Sequence, residues 1–127
     1  MLKVSAQNLF LACLAFAFTG CGFRFGPGFS MNDSGYFAEQ PHIVVRNSQY
    51  SLRWKYGSWG FYFNPGSKVS DGQLLFSLQA TSSSGNLTGR YQEVPITGKD
   101  RISAIETRGA FWLEPDGTKV RLEVKRL

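Results

Sequence analysis

The feature that most constrains this chain is a run of strict alternation, "YSLRWKY", from Tyr50 to Tyr56. Tyr50, Leu52, Trp54 and Tyr56 fall on one side of an extended backbone, and Ser51, Arg53 and Lys55 on the other. A period of two over seven residues, with large apolar groups on one side only, reads as a strand with one buried face. Gly57-Ser58 follows, a two-residue loop with glycine first, as a type II′ turn requires. "WGFYF" then returns with Trp59, Phe61 and Phe63 in one phase and Tyr62 in the other. These fourteen residues predict a hairpin whose inner face is almost wholly aromatic. Its outer face would carry Arg53, Lys55 and Tyr62, a flat ring between cations that could stack on a sugar or dock a partner. These three residues are the candidate binding surface.

The same period recurs downstream. "HIVVR" (42–46) reads as a short strand ending in an Asn47-Ser48 turn. "QLLFSLQA" (73–80) places Leu74, Phe76, Leu78 and Ala80 on one face, and "LTGRYQEV" (87–94) is a weaker strand that should stop at Pro95. "RISAIET" (101–107) fits a strand, although Ile102 and Ile105 also fit one helical turn. "AFWLE" (110–114), "PDGT" and "KVRLEVK" (119–125) make a final hairpin with Val120, Leu122 and Val124 inward. "NPGSKVSDG" (64–72) and "TSSSGN" (81–86) are dense in turn formers. The total is about eight short strands and no convincing helix. Short connections favour antiparallel pairing, so the fold class is all-β, a small antiparallel sandwich or a meander barrel. The charged end Lys125-Arg126 would discourage edge-to-edge pairing.

The amino-terminal residues obey different rules. Met1 to Asn8 is polar with one basic side chain, Lys3, and Leu9 to Phe18, "LFLACLAFAF", is a ten-residue apolar run. A bilayer-spanning helix needs about twenty such residues, so the run is too short for one. Positive charge, a short apolar centre and then small residues is the order of a secretory signal peptide, here 1–20. "AFA" (15–17) offers a site for cutting after Ala17. The next residues, "FTGC" (18–21), resemble the lipobox of bacterial lipoproteins, a family in which the cysteine is lipidated and becomes the new amino terminus. Thr19, Gly20 and Cys21 fit that pattern, and Phe18 stands where the family usually has leucine.

The resemblance implies lipidation at Cys21, with the lipid bilayer as partner. It also implies a place in the bacterial cell envelope. Gly22, where inner-membrane lipoproteins of enteric bacteria carry Asp, implies the outer membrane. A soluble secreted or periplasmic form is the alternative. The resemblance covers only these residues. The chain has two cysteines, Cys13 and Cys21. Cys13 leaves with the leader, and an unlipidated Cys21 would be an unpaired thiol in an oxidising compartment. Residues 21–40, rich in Gly, Ser, Asn and Pro, read as the lipidated cysteine and a tether. Phe23, Phe25 and Phe29 would either lie in the membrane interface or pack onto the domain at 41–127.

Other functions find little purchase in the sequence. The formal charge of +5 is scattered along strands, not gathered in a stripe, so no nucleic-acid partner is expected. The lone histidine, His42, lies next to Pro41 at a strand start and reads as an incidental, half-exposed residue. No spaced metal-ligand cluster accompanies it, and no nucleophile–histidine–acid arrangement or acidic pair suggests catalysis. No cofactor, metal or enzymatic activity is expected. The Asn86-Leu87-Thr88 sequon matters only in a eukaryotic secretory route. The sequence thus points to a membrane-anchored lipoprotein with a non-catalytic β domain of structural or partner-binding role. The alternatives are a carbohydrate- or cell-wall-binding module, or a secreted hydrolase inhibitor acting through loops such as 64–72.

Overall fold

A computed structural model describes residues 25–82 and 85–127. The leader 1–20 with Cys13, the lipobox cysteine Cys21, Phe23 and Ser83-Ser84 lie outside the described residues. The elements in chain order are β1 (Phe37–Arg46), β2 (Gln49–Tyr56), β3 (Gly66–Ser70), β4 (Gln73–Ser77), β5 (Tyr91–Ile96), α1 (Lys99–Thr107), β6 (Ala110–Leu113), β7 (Lys119–Arg121) and β8 (Val124–Arg126). They form two four-stranded sheets, ordered β5-β2-β1-β8 and β3-β4-β6-β7. Each sheet keeps two free edges, so the fold is an all-β sandwich and not a closed barrel.

The inner faces interdigitate as the alternation demands. Leu52, Trp54 and Tyr56 of β2 are buried against Ile43 of β1, Leu74 and Phe76 of β4, and Trp112 of β6. Phe37 meets Trp112 edge-on at 5.5 Å across the sandwich, and Phe63 stacks on Trp54 at 5.5 Å. Such ring pairs add about 0.5–1.5 kcal/mol each beyond the area they bury. Leu78 is buried as expected, but Ala80 is exposed because β4 ends at Ser77.

Both sheets are mixed, which corrects the all-antiparallel expectation. β8 runs parallel to β1, and β6 runs parallel to β4. Parallel neighbours need a crossover of a dozen or more residues. The chain supplies it by routing β5 and α1 between β4 and β6, and seven elements between β1 and β8.

The expected 50–63 hairpin does not form. β2 already has both hydrogen-bonding edges filled, by β1 on one side and β5 on the other. The chain therefore leaves β2 at Gly57 and folds against an upstream turn. Gly57 N donates to Tyr36 O (2.8 Å) and Trp59 N to Gly35 O (3.1 Å). "WGFYF" keeps only an isolated bridge between Tyr62 and Ser82. Phe63 is buried as expected, but Trp59 is 50% exposed. The hairpin partner of β2 is β1, through Asn47 (φ 50°) and Ser48 (φ 65°), the two positive-φ residues of a type I′ turn. A second such turn, Asp71-Gly72, joins β3 to β4 inside the segment expected to be loop.

Residues 99–107 are helical, not extended. α1 buries Ala104 and Ile105 in the core and is stopped just beyond its C-cap Arg108 by Gly109 (φ 101°), whose N–H donates to Ala104 O (2.8 Å). The strand expected over 119–125 splits in two. Leu122 N bonds to Ala110 O in one sheet, Ile43 N bonds to Glu123 O in the other, and Leu122 is 2% exposed at the crossing. Val120 pairs with the inward Trp112, but on an edge strand beyond the core, and is 38% exposed. β5 runs through Pro95 to Ile96. Proline is tolerated there because β5 is an edge strand and loses no ladder donor.

The expected tether is largely part of the fold. Gly26 O accepts from Ser77 Oγ (2.5 Å) and Gln79 Nε2 (3.0 Å), and Phe29 N donates to Leu78 O (2.7 Å). Trp112 Nε1 donates to Phe29 O (3.0 Å), and Glu114 accepts from Ser30 Oγ (2.6 Å) and Met31 N (3.0 Å). Phe29 packs on the core and Met31 is 6% exposed. β1 begins at Phe37, ahead of the boundary expected at residue 41.

Candidate functional site

Alternation along β2 sends Arg53 and Lys55 to the outer face of the first sheet. The register then decides what meets them: Arg53 lies opposite Glu93 and Lys55 opposite Tyr91 on β5. The Arg53 guanidinium sits over the Tyr91 ring at 4.0 Å from its centroid, and Lys55 Nζ at 5.3 Å. The aromatic between these two cations is therefore Tyr91, not Tyr62. Tyr62 is 46% exposed, as its phase required, but its hydroxyl accepts from Asn64 Nδ2 (3.1 Å) in the segment after β2. Only two of the three candidate residues come together.

A continuous polar lattice surrounds them. Glu93 accepts from Arg46 Nη1 (2.7 Å) and Arg53 Nη1 (2.8 Å). Its hydrogen bond to Arg46, reinforced by the positive charge of both guanidiniums, holds its carboxyl below the usual carboxylate range. The same contact raises the Arg46 guanidinium further. Tyr91 Oη donates to Glu39 Oε1 (3.0 Å), and Glu39 Oε2 lies 3.7 Å from His42 Nε2. His42 pairs with Arg53 in the register and is 6% exposed, more covered than expected. Its Nδ1 lies 3.0 Å from Gln40 O.

The lattice spans β1, β2 and β5, and it satisfies itself. Two of its cations share one carboxylate, and each polar contact stabilises only modestly at a solvent-facing position. Such a face braces the sheet more than it offers open charge to a ligand. Among the described residues, no group of three or more His, Cys, Asp or Glu side chains converges as a metal site would require.

Two clefts mark the seams between the sheets. One of about 210 Å³ opens between β3 and β5, with Leu52, Phe76 and Ile96 as its floor and Ser67, Thr97 and Arg101 on its rim. Arg101 is tied to Ser67 Oγ (3.1 Å) across the opening. The other, about 320 Å³, lies by His42 and is walled by Glu39, Glu123, Arg121 and Lys125, so its charges balance.

The remaining feature is aromatic. Tyr36 packs on Phe29 (4.6 Å) and meets Trp59 edge-on (4.8 Å), and Trp59 lies 6.1 Å from Phe61. The Trp59 ring covers Gly35 so closely that a Cβ there would lie 2.6 Å from it. The indole is thus half exposed yet held in place. Within the 50–63 segment, Trp54 is fully buried, whereas Trp59 and Tyr62 are about half exposed. The phase of "WGFYF" predicted an inward Trp59; the missing information was that both edges of β2 are taken.

Comparison of the chain with protein-family models, with curated proteins and with solved structures yielded no match.

Proposed function

We propose that this protein is a bacterial envelope lipoprotein, held at a membrane by lipid on Cys21, whose β sandwich serves a structural or partner-binding role without catalysis. The observation that carries the reading is the placement of Cys21 in "FTGC", whose Phe18 closes a ten-residue apolar run, five residues before the fold takes hold of the chain at Gly26. A cysteine so placed has a purpose under lipoprotein processing and none as a lone thiol. Among the described residues, no helix is long and apolar enough to cross a bilayer, so attachment would rest on the acyl chains. One chain anchors marginally, and two or more anchor stably, at about 0.8 kcal/mol per buried methylene.

Fractionation of bacteria expressing the full chain tests this. The protein should pellet with membranes and be released by detergent, and the Cys21→Ala variant should move to the soluble fraction. Wild-type protein in the soluble fraction would overturn the reading. Glycan binding through the 50–63 segment, the second reading, has Tyr62 and the unexpectedly exposed Trp59 as candidate contacts.

A further inference from the structure

We propose that the aromatic end of the sandwich around Trp59 is a membrane-contact surface, with the indole seated in the headgroup region of the bilayer that holds Cys21. The proposal rests on the lipoprotein reading and adds an orientation to it. Covalent geometry sets the first limit. Gly26 is five residue steps beyond Cys21, and an extended chain spans at most about 3.5 Å per step, so Gly26 lies within about 17 Å of a lipidated cysteine. Gly26 cannot drift from the domain, because Ser77 and Gln79 both hold its carbonyl. The domain therefore rests at the membrane surface and does not hang from a twenty-residue tether.

The second limit comes from the ring ladder. Phe29, three residues beyond Gly26, is linked to Trp59 through Tyr36 by ring-to-ring steps of 4.6 and 4.8 Å. Trp59 thus belongs to the end of the domain where the anchored chain enters. Tryptophan is enriched at the membrane–water interface because its ring is apolar while its N–H can reach polar groups. A single exposed aromatic on a soluble domain needs no explanation. This one is distinguished by its rigid seat on Gly35 and by its nearness to the anchored segment. The short link also favours a lipid over a glycan occupant, since the surface within reach of this end is the bilayer's own.

The chain carries its own reporter. It has three tryptophans, and Trp54 and Trp112 are 0% exposed while Trp59 is 50% exposed. Quenchers outside the fold therefore read Trp59. The lipidated protein, with its modification verified by mass, is placed in phosphatidylethanolamine–phosphatidylglycerol vesicles made with or without brominated acyl chains. The expected result is at least a twofold loss of the Trp59 emission component in brominated vesicles, absent in a Trp59→Phe variant that is equally lipidated. Equal emission in both vesicle types, with lipidation verified, would overturn the inference while leaving the lipoprotein reading intact. So would a Trp59 that stays open to acrylamide in vesicles and becomes shielded only when a soluble cell-wall oligosaccharide is added. An unlipidated mass would remove both.

Discussion

The two buried tryptophans should respond very differently to the same substitution. Trp54 and Trp112 are both 0% exposed, so Trp→Phe removes a similar volume at each site and costs on the order of 1–2 kcal/mol in packing. The ring nitrogens differ. Trp112 Nε1 donates to Phe29 O at 3.0 Å, the bond that clamps the entering chain to the sandwich. Trp54 Nε1 is buried and meets no acceptor at full hydrogen-bond geometry, with only a loose contact to the Tyr56 hydroxyl. Trp112→Phe therefore removes the partner of a carbonyl, adding about 1–3 kcal/mol, whereas Trp54→Phe deletes a poorly satisfied donor and recovers part of its own packing loss. The gap between the variants should be about 2 kcal/mol. For a domain of this size that separates their melting temperatures by about 8–16 °C, with Trp112→Phe the lower. Thermal and urea unfolding of the two variants side by side measure it. Equal midpoints, or a lower one for Trp54→Phe, would refute the assignment of the Trp112–Phe29 bond as the clamp.

Three further outcomes follow from single contacts. Gly35→Ala places a Cβ within 2.6 Å of the Trp59 ring; it should cost about 1–3 kcal/mol and red-shift the emission as the indole is pushed outward, and an unchanged spectrum would contradict the packing. Glu93→Gln should lower stability near neutral pH by up to about 1 kcal/mol. Because the folded carboxyl titrates below its ordinary 4.5, this contribution is present above that pH and is lost as pH falls through the lower folded value. Wild type and variant should thus converge in acid, and a constant offset across pH would exclude the Arg46–Glu93–Arg53 bridge as its source. Ser48 sits at φ 65°, where glycine carries no Cβ penalty, so Ser48→Gly should raise the unfolding midpoint, by about 0.5–1 kcal/mol in stability.

What the sequence disclosed tracks how local each decision is. The buried face of β2 was legible because a period of two is written in seven consecutive residues. The partners of β2 were not, because β5 lies more than thirty residues away, and its arrival overrides the local Gly57-Ser58 turn signal. The Asp71-Gly72 turn was legible in principle, as an Asp-Gly pair between a "KVS" and a "QLLF" run, but the surrounding turn formers masked it. α1 was a tertiary decision. Ile102 and Ile105 suit either period, and burial of Ala104 and Ile105 tips the balance, with Gly109 the one stop signal on view. In the candidate site, alternation alone placed Arg53 and Lys55 outward. Tyr91 and Glu93 came to them only through the β2–β5 register, which no residue near either strand encodes by itself.

The central claim is the lipid on Cys21, and intact mass spectrometry of the membrane-extracted protein tests it most directly. The account predicts a chain beginning at Cys21 and heavier than its sequence by a diacylglycerol-type group, with the added mass absent from Cys21→Ala. An unmodified chain beginning at Phe18 would contradict it.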